Sequence, residues 1–82
     1  MSNLTIVTFE GIELNATCAE LLRIVMKYAK SDDVDARETR RSCLKKLGEH
    51  DCTSALLYIV DKLAKSGDVD ARETRQRALD MI

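Results

Sequence analysis

The chain has 82 residues, of which 45% are hydrophobic and 33% are charged, and its formal net charge is −1. This length fits a single domain over residues 1–82 with a thin core, since a chain this short buries roughly 60–65% of its unfolded surface. The balanced charge argues against non-specific nucleic-acid binding, which needs a basic excess. It also gives no polybasic segment for an anionic membrane surface.

The opening sequence, MSNLTIVTFEG, lacks the basic region and the uninterrupted apolar region of a signal peptide. The sequence has no apolar run near the roughly 20 residues that span a bilayer. We therefore expect a cytoplasmic protein that has no membrane partner. In that compartment the three cysteines, Cys18, Cys43 and Cys52, are expected to be reduced thiols rather than a disulfide framework.

Residues 1–14 predict a β-hairpin. Residues 4–9 are rich in β-branched and aromatic side chains, residues 10–11 can turn the chain, and residues 12–14 can return as a second strand. A lone hairpin is marginal in water, so it must lie on the helices or pair with another copy of itself at a sheet edge. We expect a homodimer formed by this arm, through Leu4, Ile6, Val7 and Phe9. The alternative is a hairpin that covers one end of a monomeric bundle.

The rest of the chain is internally repetitive. The octapeptide DVDARETR occupies residues 33–40 and again 68–75, and aligning residues 16–47 with 51–82 gives 17 identities in 32 positions. We call these two ranges the first and second segments. Their similarity indicates an internal duplication.

Each segment predicts two helices. In the first, Thr17 and Glu20 fit a capping box, and apolar residues follow at helical spacing to about Ser31. The corresponding helix of the second segment is expected to begin near residues 51–53 and to stop at Gly67. The predicted class is therefore mainly α, with an N-terminal β-hairpin followed by two duplicated helix-turn-helix units, or αα-hairpins, making four helices.

The octapeptides themselves predict helix starts. Asp35 with Glu38, and Asp70 with Glu73, have the spacing of a capping box, in which each cap contributes about 1 kcal/mol. Gly48 is expected to end the helix that begins in the first octapeptide.

Catalytic and metal-binding patterns are not found in the sequence. Cys43, His50 and Cys52 do not have the spacing of a zinc site, and Cys18 and Cys43 fall near the core faces of helices. Three scattered glycines form no phosphate loop. We expect no catalytic residue, cofactor or metal, and therefore a protein that is not an enzyme.

The octapeptide arginines are not explained by capping. Arg40 and Arg75 fall within the apolar stripes of their helices, where an arginine is costly unless it is paired or reaches outward. One interpretation is an internal ion pair, with Arg40 near Asp68 or Asp70 and Arg75 near Asp33 or Asp35.

A second interpretation is a surface that docks onto another protein, since the planar guanidinium binds carboxylates bidentately. Its candidate residues are Asp35, Arg37, Glu38, Arg40, Arg41, Asp70, Arg72, Glu73 and Arg75. A third interpretation is DNA contact by Arg37, Arg40, Arg41, Lys45 and Lys46. Direct nucleic-acid binding is not expected, because the second segment carries Gln76 in place of Arg41 and also carries Asp80.

Two resemblances bear on function. The run from Leu44 to Gly48, followed by a helix, the turn GDVD and the helix ARETRQRAL, resembles short HEAT-like repeats, which implies a protein-binding helical scaffold. The opening MSNLTIVTFEG resembles the start of phage antirepressors. That resemblance implies a prophage protein of transcription regulation whose partner is a DNA-binding repressor.

We therefore expect a non-catalytic regulator that sequesters another protein, most specifically an antirepressor that releases a repressor from its operator. The alternatives are a small HEAT-like scaffold or adaptor and a DNA-binding accessory protein.

Overall fold

A computed structural model describes residues 5–82, so Leu4 of the expected dimerisation arm lies outside the described residues. The order of elements is β1 (Ile6–Phe9), β2 (Ile12–Asn15), α1 (Ala16–Lys27), α2 (Val34–Glu49), α3 (Thr53–Lys62) and α4 (Val69–Asp80). The expected class, mainly α with an N-terminal hairpin and four helices, is confirmed. Across residues 5–82, no helix combines the length and the apolar character needed to cross a membrane.

The hairpin closes through a two-residue turn. Strands β1 and β2 are antiparallel, and Phe9 lies opposite Ile12. The turn residues, Glu10 and Gly11, have φ of 50° and 86°. Positive φ at both positions suits the right-handed twist of a hairpin and explains a glycine at the second of them.

One side of β1 lies on the helices. Val7 and Phe9 pack against the core, and the Phe9 ring meets the Tyr58 ring of α3 edge-on, with 5.5 Å between centroids. Ile6, which alternates with them, is 58% exposed. The hairpin thus lies on the bundle, as one of the two expectations had it, while pairing between subunits stays a prediction.

The helices that contain the octapeptides start two residues earlier than expected. Asp33 caps α2 and Asp68 caps α4, each accepting a hydrogen bond from the amide three residues on, at 3.1 Å and 3.2 Å. The capping boxes predicted at Asp35 and Asp70 are therefore wrong. Both residues lie instead in the first helical turn, where the helix dipole favours a negative charge.

The first helix differs in the same way. Asn15 caps α1 and accepts from the Cys18 amide at 2.8 Å, so the capping box predicted at Thr17 is wrong. Helix α1 also ends at Lys27, short of Ser31, and the Tyr28 amide bonds back to the last turn.

The predicted end of α2 at Gly48 is also wrong, because the helix continues to Glu49 and His50 is its C-cap. A side chain at Gly48 would meet the Met81 sulfur at 2.5 Å. Glycine at this position therefore allows the end of α2 to lie against the end of α4.

The core is shared by all four helices and β2. Helix α1 packs on α2 and α3 packs on α4, while contacts of α1 with α3 and of α2 with both α3 and α4 join the two pairs. The largest fully buried aliphatic side chains are Leu22, Val25, Leu44, Leu47, Leu56 and Ile59.

The cysteines do not all remain thiols. Cys18, in the first turn of α1, and Cys52, the N-cap of α3, form a disulfide with their Cα atoms 5.8 Å apart. The expectation of three reduced thiols is thus wrong for this pair, because the packing of α1 on α3 brings the two helix starts together. Cys43 is a free buried thiol, as expected, and burial raises its pKa.

Candidate protein-binding surface around the octapeptides

Three arginines of α2 meet two carboxylates of α4. Arg37 donates two hydrogen bonds to Asp70, at 2.8 Å and 3.1 Å. Arg40 donates to Asp70 at 3.1 Å and to Glu73 at 2.6 Å. Arg41 donates to Glu73 at 2.7 Å. The predicted internal pair between Arg40 and Asp70 is therefore present, within a larger network that ties α2 to α4.

Arg40 is a structural residue. Its side chain is 0% exposed, and its second terminal nitrogen donates to the carbonyl oxygens of Tyr28 and Ser31, at 3.1 Å and 3.0 Å. These carbonyls follow α1, so the guanidinium binds backbone acceptors and carboxylates together. Neither Arg40 nor the buried Asp70 is accessible to a partner, and both are corrected from the expected docking surface to the interior.

The network also sets the ionisation of its acids. The hydrogen bond from Arg37 holds the pKa of Asp70 below its usual value, and Arg40 adds to that effect. Burial alone would raise the pKa of Glu73, but hydrogen bonds and charge from Arg41 and Arg40 outweigh it, so this pKa is also lowered. Both groups are therefore carboxylates at neutral pH.

The arginine of the second octapeptide that corresponds to Arg40 binds backbone carbonyls but, among the described residues, no carboxylate. Arg75, the counterpart of Arg40, donates to the carbonyl oxygens of Leu63 and Ala64, at 2.8 Å and 3.1 Å. The expected pairing of Arg75 with Asp33 or Asp35 is therefore wrong. Arg75 binds the chain after α3, as Arg40 binds the chain after α1.

The threonines of the two octapeptides differ in burial. Thr74 is fully buried, and its hydroxyl lies 3.1 Å from the Ala29 carbonyl oxygen and 2.8 Å from that of Asp70. Its counterpart Thr39 is exposed. Two identical octapeptides therefore present different residues to the core and to the solvent.

Some of the expected docking residues remain on the surface. Asp35, Glu38, Arg41 and Arg72 are exposed, whereas Arg37, Glu73 and Arg75 are half-buried. Arg41 meets Glu73 across the two helices, while α2 and α4 bury different sides of the repeated sequence.

Sequence reasoning missed a groove between α2 and α4. Apolar side chains of Leu44 and Met81 line it, together with the basic side chains of Arg41, Lys45 and Arg77. Ser42 and Asp80 complete the lining. We call this feature the α2–α4 groove. The four-residue spacing from Arg41 to Lys45 placed both on one face of a helix, but nothing in the sequence placed Arg77 beside them.

In the part of the chain that the structure describes, no three His, Cys, Asp or Glu side chains are grouped to hold a metal ion. Cys52, one of three residues weighed for such a site, is in the disulfide. Comparison of the chain with protein-family models, with curated proteins and with solved structures gave no match in any of the three. The geometry of the chain itself is therefore the basis for a functional proposal.

Proposed function

We propose that the protein is a non-catalytic regulator that binds another protein, and that the α2–α4 groove is its contact site. The observation that carries this proposal is the combination of an apolar floor, formed by the half-buried Met81 over the buried Leu44, with a basic rim, Arg41, Lys45 and Arg77. An amphipathic helix can place apolar side chains on such a floor, at positions three and four residues apart. Its carboxylates would then meet the rim.

The rim is suited to an acidic partner. Arg41 and Arg77 are 41% and 49% exposed even though both contact Glu73, so each has donors left for a second carboxylate. Asp80 adds one negative charge to the lining of the groove and accepts a hydrogen bond from Gln76 at 2.9 Å. A mixed rim of this kind fixes the register of the partner, because like charges placed together are unfavourable.

The most specific form of the proposal is an antirepressor, whose partner is a DNA-binding repressor. Its support is the resemblance of the opening sequence to phage antirepressors. A basic groove does not complement the basic surface with which a repressor binds DNA. The groove would therefore hold an acidic segment elsewhere on the repressor. Release from the operator would follow if several protein molecules fixed an oligomeric repressor in a geometry that does not fit its DNA site.

The test is an operator-release assay with repressors encoded in neighbouring genes, each bound to its labelled operator. Wild-type protein should release one of them, and Lys45→Glu should be deficient because it reverses a rim charge. Lys65→Glu is the matched control, since Lys65 is exposed outside the groove. Equal activity of the folded Lys45→Glu protein would rule out the groove as the contact.

The two alternatives give different results in the same experiment. A HEAT-like scaffold or adaptor would bind a partner through the groove without releasing any repressor. A DNA-binding accessory protein would bind duplex DNA by itself, and that binding would weaken as salt is added.

A further inference from the structure

The two segments bury different, partly overlapping sides of their similar sequences. Ala36 and its counterpart Ala71 are both buried, but the large aliphatic residues differ. In the first segment, the aliphatic side chains Leu22, Leu44 and Leu47 are at most 1% exposed. The residues at the matching positions of the second segment are between 45% and 56% exposed, namely Leu57, Leu79 and Ile82. These positions are therefore aliphatic in both segments, but they are buried only in the first.

The cause lies in the stacking of the segments. The first segment turns the side that carries Leu22, Leu44 and Arg40 toward the second, through the contacts of α1 with α3 and of α2 with α4. The second segment directs the equivalent side outward. We call this outward side the exit face, and it comprises Leu57, Arg72, Arg75, Leu79 and Ile82.

The first segment has an accessible surface whose residues match those that the second segment uses to contact the first. The second segment contacts the first through Asp70, Glu73 and Thr74 and contributes Leu56 and Ile59 to the shared core. All of these but the half-buried Glu73 are buried. The matching residues of the first segment are half-buried or exposed, and we call them the entry face: Leu21, Ile24, Asp35, Glu38 and Thr39. Among the described residues, the hairpin contacts α1 and α3 but not α2, which leaves the start of α2 open.

We propose that the entry face of one molecule docks on the exit face of a second copy of this chain, and so repeats between molecules the contact that joins the two segments within one. Charge complementarity supports this occupant. Asp70 is bound by Arg37 and Arg40, and the matching residues are Asp35 on the entry face and Arg72 and Arg75 on the exit face.

The exit face already has the geometry of a receptor for carboxylates. Arg75 is fixed by the carbonyls of Leu63 and Ala64, much as Arg40 is fixed by those after α1. A preordered side chain loses less conformational entropy when it binds. A surface cleft on this face is lined by Val69, Arg72, Glu73, Arg75 and Gln76. Glu73 is already bound by Arg40 and Arg41, so Arg72 and Arg75 are the groups that an incoming α2 would meet.

One difference makes the intermolecular contact weaker than the internal one. Arg41 donates to Glu73 within the molecule, but the residue at the matching position beside the exit face is Gln76, so Glu38 would lose one charged donor. The contact is also head-to-tail, and an interface of that kind generates either rings or open stacks. Assembly should therefore increase with protein concentration. This self-assembly goes beyond the proposed function, because the residues of the α2–α4 groove belong to neither face.

Sedimentation equilibrium over a wide range of concentration tests this proposal, with circular dichroism to confirm that each variant is folded. Wild-type protein should associate reversibly, and Asp35→Arg or Arg72→Asp should each weaken association by about tenfold to a hundredfold, because each places like charges together. The double variant Asp35→Arg, Arg72→Asp carries both reversals on every molecule, so it should recover most of the lost association.

Each other result overturns the proposal. A wild-type chain that stays monomeric throughout shows that the two faces do not bind each other. Association that survives both single reversals shows a different interface, and failure of the folded double variant to recover shows that Asp35 and Arg72 do not pair. Lys45→Glu, the groove variant, should associate as wild type does.

Discussion

Arg40 and Asp70 are hydrogen-bonded at 3.1 Å across the two segments. Their counterparts in the repeated octapeptide, Arg75 and Asp35, do not form this pair. Arg75 donates to backbone carbonyls, and Asp35 is exposed in the first turn of α2. The environment of an octapeptide residue is therefore decided by which side of the stack its helix faces.

Replacing Arg40 should destabilise the fold far more than replacing its counterpart. Arg40→Met removes the buried cation that Asp70 and Glu73 share and leaves the Tyr28 and Ser31 carbonyls without their donor. Breaking a buried pair costs about 3 kcal/mol, and this is an upper value here because Arg37 and Arg41 still bind the two carboxylates. Arg75→Met removes only hydrogen bonds to two carbonyls, at a cost of about 1 kcal/mol. Urea unfolding of both variants measures the difference. Equal losses would contradict a structural role specific to Arg40.

Stability should fall in acid because the network depresses the pKa values of Asp70 and Glu73. A depressed folded-state pKa stabilises the protein above the unfolded value of about 4, and this stabilisation is lost as pH falls through the folded values. The double variant Asp70→Asn, Glu73→Gln should be less stable at neutral pH and less sensitive to acid. If the free energy of unfolding depends on pH equally in the wild-type protein and in this variant, Asp70 and Glu73 are not the groups that cause the loss of stability in acid.

The disulfide should contribute substantially to stability. Cys18 and Cys52 are 34 residues apart, and cross-linking a loop of that length stabilises a fold by roughly 3–4 kcal/mol in the chain-entropy model. The double variant Cys18→Ala, Cys52→Ala should lose about that much, and wild-type protein treated with reductant should behave like the variant. Thiol titration in denaturant without reductant should find Cys43 alone, so three reactive thiols would contradict the bond.

The hairpin proposal has its own test. If two subunits pair through β1, Ile6→Asp should give monomers by light scattering, since Ile6 is the exposed apolar residue of that strand. An unchanged mass would contradict pairing through the hairpin. Assembly through the entry and exit faces should instead survive Ile6→Asp and be weakened by Arg72→Asp, so the two interfaces can be distinguished.

The sequence predicted the elements well because their signals are local. Alternating β-branched residues, the turn at Glu10 and Gly11, and helical periodicity each depend on neighbouring residues. The helix caps were missed because DVD offers two aspartates, and Asp33 rather than Asp35 reaches the free amide. The pairing of Arg40 was anticipated because a cation in an apolar stripe requires a partner.

The remaining features depend on how the segments stack. Cys18 and Cys52 are 34 residues apart, one less than the spacing of the octapeptides, and the buried pair Leu22 and Leu56 has the same offset. Helix α3 therefore turns a different side to the core than α1 does. An alignment at 35 residues could not reveal either the disulfide or the α2–α4 groove, because both arise where unlike sides of similar helices meet.

The outward-facing leucines also make the chain a candidate for modular engineering. A tripeptide Gly-Glu-His, as at residues 48–50, followed by another copy of residues 51–82, would place a third helix pair over Leu57, Leu79 and Ile82. Stability in stacked repeats grows through nearest-neighbour interfaces, so such an extended chain should melt at a higher temperature than the parent. The same octapeptide would then occur in the first, the middle and the last of three stacked segments, and each copy would have different neighbours.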